Sequence, residues 1–101
     1  MENQFGDKIK QLREANNLLQ RQVASELEID TPMLSKIERG ERKAKKEQVL
    51  LFAKVLKSNK NELLTLWLAD QLIELSKGEN IALDAIHIAE QSIMKNSKIS
   101  K

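Results

Sequence analysis

The chain has 101 residues, of which 41% are hydrophobic and 32% charged, and a formal net charge of +2. That length suits one compact domain with at most a short appendage, and the composition is too apolar for a disordered chain. There is no cysteine, which excludes disulfides, a thiol nucleophile and a cysteine-type zinc site; with no signal-peptide core and no run of about 18 apolar residues, a cytoplasmic protein is expected.

Apolar residues recur at helical spacing throughout, and strand alternation never persists, so six helices and no sheet are expected. Helix 1 covers about 3–16, with Phe5, Ile9 and Leu12 as one buried stripe, and Asn16-Asn17 ends it. Helix 2 covers about 20–27, with Val23, Ala24 and Leu27 inward. Helix 3 opens on Thr31-Pro32, read as an N-cap followed by proline at the first helical position, and closes at Gly40. Its inner face is Met33 or Leu34 with Ile37. Helix 4 covers about 45–57, helix 5 about 60–76 up to Gly78, and helix 6 about 80–95, leaving 96–101 as a frayed polar tail.

Helices 2 and 3 are too short to be stable alone. Two short helices joined by a tight turn, the second with a polar outer face, make a helix-turn-helix. In that arrangement the second helix enters the DNA major groove and the first lies across the backbone. Thr31, Pro32, Ser35, Lys36 and Arg39 then point outward, within reach of base edges. Charge is distributed accordingly. Residues 36–46 hold six basic side chains against two acidic ones, a run suited to phosphates.

The stretch FGDKIKQLREANNLLQRQVASELEIDTPMLSKIERGERK resembles the Cro/XRE-type, lambdoid repressor-like family of helix-turn-helix regulators. The residues that carry the resemblance are Arg13, then Gln20-Arg21-Gln22-Val23-Ala24, then Ser35-Lys36-Ile37-Glu38-Arg39-Gly40. It covers about residues 5–66. It implies an all-α, five-helix DNA-binding domain over 1–66, acting as a dimer on a palindromic operator. It further implies base reading by Thr31, Pro32, Ser35 and Lys36. Phosphate contacts fall to Gln20, with Arg21 beside it, and to Arg39, Arg42 and Lys43, with Lys45 and Lys46 continuing the basic run. Arg13 and Glu38 match a pair that in the family bridges helix 1 to helix 3.

Four positions depart from the family's pattern. Leu19 replaces a polar N-cap, a loss of about 1 kcal/mol. Glu28 stands where the turn often has glycine, and a positive φ there would cost ~1 kcal/mol. Asp30 would repel phosphate, cap helix 3, or accept from a cytosine amino group. Pro32 replaces a polar reader and offers apolar contact to a thymine methyl.

Residues 60–95 are expected to form a helical hairpin, with helix 6 packing on helix 5 for dimerisation. Helix 5 carries more apolar residues than one stripe can bury, and Leu66, Trp67, Ile73, Ile81 and Ile88 are assigned to the dimer interface. His87, the only histidine, reads as a surface or packing residue of helix 6, so no metal is expected. No phosphate loop or catalytic constellation is evident, so neither an enzyme nor a cofactor is expected. The expected partner is operator DNA bound by a homodimer, with no small-molecule effector. The alternative is a protein-interaction module, or an antitoxin-type protein, acting through the apolar C-terminal hairpin.

Overall fold

The computed structural model describes the backbone of residues 3–100 and the side chains of residues 3–97. Six α-helices account for the regular structure, with no strand among the described residues: α1 Gln4–Ala15, α2 Gln20–Glu26, α3 Thr31–Glu38, α4 Lys46–Val55, α5 Lys60–Ser76 and α6 Ala82–Ser100. None is long and apolar enough to cross a membrane.

The first five helices enclose one core. Phe5 and Ile9 of α1, Leu34 and Ile37 of α3, Phe52 of α4 and Leu63 of α5 are all buried in it. The rings of Phe5 and Phe52 meet edge to face, centroids 5.7 Å apart, the arrangement their quadrupoles favour.

Four helices stop in the same way. The chain turns back so that a backbone N–H two residues past the cap donates into the last helical turn: Leu18 to Arg13, Ile29 to Ala24, Glu41 to Lys36 and Ser58 to Ala53. This terminator needs a left-handed residue. Asn17, Glu28, Gly40 and Lys57 fill that position, with φ between 55° and 77°. Glu28, which stands where the family's turn often has glycine, does take a positive φ.

The start of α3 differs from expectation by one residue. Asp30 is the N-cap, its Oδ1 accepting from the Met33 backbone N–H at 2.8 Å. Thr31 becomes the first helical residue. Pro32 falls second, where its missing N–H still costs nothing. Both residues can cap a helix; the charged oxygen of Asp30 takes the role. The polar cap missing at Leu19 is offset from the other side, because Gln22 Oε1 accepts the Leu19 N–H at 2.7 Å.

The C-terminal third departs furthest. The added C-terminal helix is present, but it does not pack extensively on α5 as expected. α6 makes no extensive contact with any other helix, and its side chains from Leu83 to Ser97 are exposed. The radius of gyration, 15.5 Å, exceeds the roughly 13 Å of a compact chain this long, as a projecting helix requires. The cause lies in the link. α5 ends without the terminator used by α1–α4: Lys77 is extended, Gly78 takes φ +80°, and the Glu79 N–H donates to Ser76. This turn directs α6 off the domain. The helix also continues to Ser100, past the end expected near residue 95, so the tail expected to fray is helical as far as described; Lys101 lies outside the described residues.

Candidate nucleic-acid interface

The turn between α2 and α3 sets the angle at which α3 is presented. Ala24 is buried where the two helices approach. Leu27 anchors the turn in the core, Glu28 reverses it, and Asp30 opens α3. With Leu34, Ile37 and Glu38 buried, the opposite face of α3 looks outward. Thr31, Pro32, Lys36 and Arg39 are exposed on it and Ser35 is half-buried. Five of the residues picked out from helical spacing therefore share one open surface.

Behind that surface lies a polar junction of three helices. Glu38 is a buried carboxylate, 3% exposed in its side chain, and Arg13 is 11% exposed. Arg13 Nε donates to Glu38 Oε2 at 2.7 Å and Nη2 donates to Oε1 at 3.1 Å. The remaining guanidinium group, Nη1, donates to the Leu18 carbonyl at 3.0 Å. Hydrogen bonding to Glu38 is the main reason that the Arg13 guanidinium is held even above its ordinary range. Gln20 adds a third element, its Nε2 donating to Glu38 Oε1 at 3.0 Å. The amide of Gln20 thus faces inward with one N–H. An amide has two, so a phosphate contact from Gln20 rests on the second. Arg21, next along α2, is exposed.

The segment after α3 is basic and firmly placed. The Glu41 N–H donates to the Lys36 carbonyl at 2.8 Å. The Trp67 indole N–H reaches from α5 to the Ala44 carbonyl at 2.7 Å. Lys43 Nζ lies 3.4 Å from Gln71 Oε1. Arg42, Lys43, Lys45 and Lys46 are exposed, the last two at the start of α4. Arg39 is engaged within the protein. It grips Glu41 with two hydrogen bonds, at 2.8 and 3.2 Å, and also donates to the Ser35 hydroxyl.

The Arg39 guanidinium holds the Glu41 carboxyl below its usual range, and Glu41 raises Arg39 in turn. With the carboxyl lowered, the pair is intact above the ordinary carboxylate pKa and is lost as pH falls through the lowered value. Glu41 also opposes the phosphates that Arg39 would meet. Glu41→Gln is expected to tighten binding to any duplex and to steepen the salt dependence by about one unit of slope as Arg39 is released. Fluorescence anisotropy across a salt series checks this; unchanged affinity and slope would mean that Arg39 does not reach the backbone.

Several supporting residues had escaped sequence reasoning. Asp70 of α5 caps the first turn of α1, accepting from the Gln4 and Phe5 N–H groups at 3.0 and 2.9 Å. Asn3 caps the same helix through Gly6 and donates to the Glu38 carbonyl at 2.7 Å. A lone carboxylate within the apolar run LWLADQL was the available signal for Asp70. Of the residues assigned to a dimer interface, Leu66 and Trp67 pack on the core, whereas Ile73, Ile81 and Ile88 are exposed. His87 is exposed on α6, with Nδ1 3.9 Å from a Glu90 oxygen.

Comparison with known families bears on this surface directly. A model described as helix-turn-helix matches residues 9–63. The chain belongs to the Cro/XRE-type helix-turn-helix family. It is accordingly a DNA-binding transcriptional regulator. No curated protein and no solved structure gives a significant match. The family match spans the Arg13–Glu38–Gln20 junction, the α2–α3 unit and the basic segment. It ends within α5, before Trp67, so the distal part of α5 and all of α6 lie outside it.

Proposed function

We propose that this regulator reads a palindromic operator as a homodimer, with α3 of each protomer in the major groove, and that it represses its target promoter or its own gene. Thr31, Pro32, Ser35 and Lys36 would face base edges. Gln20, Arg21, Arg39, Arg42, Lys43, Lys45 and Lys46 would follow phosphates. The observation that carries the reading is the single exposed face of α3 bordered by an ordered basic segment. Phosphate contacts supply affinity and register, whereas base contacts supply sequence preference. Such a protein would work in the cytoplasm, where the operator is.

The two kinds of contact fail differently. Lys36→Ala is expected to cost about 1–3 kcal/mol on the preferred site and to relax preference at one base pair. Arg42→Ala is expected to weaken all duplexes alike and to lower the salt slope by about one. Anisotropy titrations on the preferred site, its single-base variants and an unrelated duplex separate them. If both variants bind as the wild type does, α3 does not occupy the groove as proposed. A second reading draws on the exposed α6: the chain as an interaction module for another protein, DNA binding being secondary. That reading predicts the same indifference to both substitutions.

A further inference from the structure

The distal half of α5, the link at Ile81 and α6 carry ten large apolar side chains, from Leu68 to Met94, that are each 42–82% exposed. They lie on more than one face of the two helices, and exposed apolar side chains in this number mark a surface that a protein partner covers. Beside them lies a groove of about 650 Å³ between the start of α1, the basic segment and the distal half of α5. Phe5, Ile37, Trp67, Ile73 and Leu75 contribute its apolar walls. The chain therefore has an open groove with apolar walls and, a few residues on, a projecting helix whose described side chains are almost all exposed.

Resting on the homodimer reading, we infer that α6 is an exchanged arm: its Ala82, Ala85, Ile86, Ala89 and Ile93 face lies in the groove of a second copy of this chain. Those positions share one side of the helix, and three alanines let the helix backbone come close to the groove wall. The turn at Gly78 favours a second copy over the chain's own α6, because its hydrogen bonds direct α6 away from α5. Arg42 and Lys43 line the rim of the same groove. Seating the arm thus brings the dimer contact against the segment proposed to hold phosphates.

The chain has one tryptophan and no cysteine, which makes the contact directly readable. A full-length chain carrying Ile86→Cys, labelled with bimane, and Trp67→Phe is mixed with unlabelled wild-type protein. Tryptophan quenches bimane only at close contact, so quenching in the mixture reports the partner's Trp67 alone. The exchanged arm predicts that most of the bimane emission is lost as wild-type protein is added. Unquenched emission in a mixed dimer established by sedimentation overturns the arm and leaves the homodimer standing. A monomer in sedimentation removes both. Quenching of an Ile86→Cys chain that keeps its own Trp67, at a dilution where it is monomeric, places α6 in its own groove and also overturns the exchange. A second readout needs no substitution at Trp67. Wild-type tryptophan emission should move to shorter wavelength as concentration rises through the dimer transition, and emission unchanged through that transition counts against the exchange.

Discussion

Replacing Glu38 by alanine is expected to lower the unfolding free energy by about 3–5 kcal/mol, the cost of breaking a buried ion pair by removing one partner. The whole stability of a domain this size is about 5–15 kcal/mol, so the loss is a large fraction of the total. The cause is what remains behind. Without Glu38 the Arg13 guanidinium keeps only the Leu18 carbonyl of the partners that now satisfy it, and the Gln20 amide loses its acceptor. The pair does not stabilise the fold by its attraction alone, since both groups were taken out of water. Arg13→Met combined with Glu38→Met should therefore cost less than the two single changes summed. Urea titrations of the four proteins give the coupling. Additive losses would mean that the junction is not a unit.

Gly6→Ala is the second large effect, and its sign opposes helix propensity. Glycine inside a helix costs about 1 kcal/mol relative to alanine, so propensity alone predicts a gain. At Gly6 a Cβ would lie 2.5 Å from the Glu38 backbone oxygen and 2.2 Å from Asn3 Nδ2. The Asn3 amide cannot swing aside without giving up its hydrogen bond to that same oxygen. The carbonyl can retreat only if α3 moves off α1. Overpacking of this kind costs about 1–3 kcal/mol; set against the propensity gain it leaves a net loss of up to about 2 kcal/mol, and each kcal/mol lost should lower the melting temperature by roughly 4–8 °C. Thermal unfolding followed by circular dichroism decides it. A rise in melting temperature would mean that α1 and α3 can separate at no cost, and that α3 is less firmly set than the geometry indicates.

These two positions show what a sequence does and does not reveal. The helices that build the core were legible because each buries one stripe, as Phe5 and Ile9 do on α1 and Val49, Phe52 and Ala53 on α4. The outward face of α3 was legible for the same reason, as the complement of Leu34 and Ile37. The positive φ of Glu28 was raised only as a condition, by comparison with the glycine that the family often has there. Contacts between distant positions were not. Asp70 caps a helix more than sixty residues earlier, and nothing local to either segment announces it. Arg13 and Glu38 were joined only by family resemblance. The choice between Asp30 and Thr31 as cap was lost because both are good caps and proline is tolerated at either following position.

The C-terminal hairpin failed for a different reason. Apolar periodicity establishes that α5 and α6 each have a face to bury. It cannot tell whether the partner is the same chain or another. The direction of α6 is decided by a few backbone angles around Gly78. An apolar helix next to an apolar helix in sequence was read as a hairpin; the structure leaves them apart, and the surface so exposed is what points to a second copy.

The most direct test of sequence-specific operator reading is selection of bound sequences from a random duplex pool at about 150 mM salt, where weak exposed charge contacts are largely screened. The predicted result is an enriched inverted repeat with half-site centres about 10 base pairs apart, as two α3 helices in successive major grooves demand. A folded protein that enriches no sequence would contradict it.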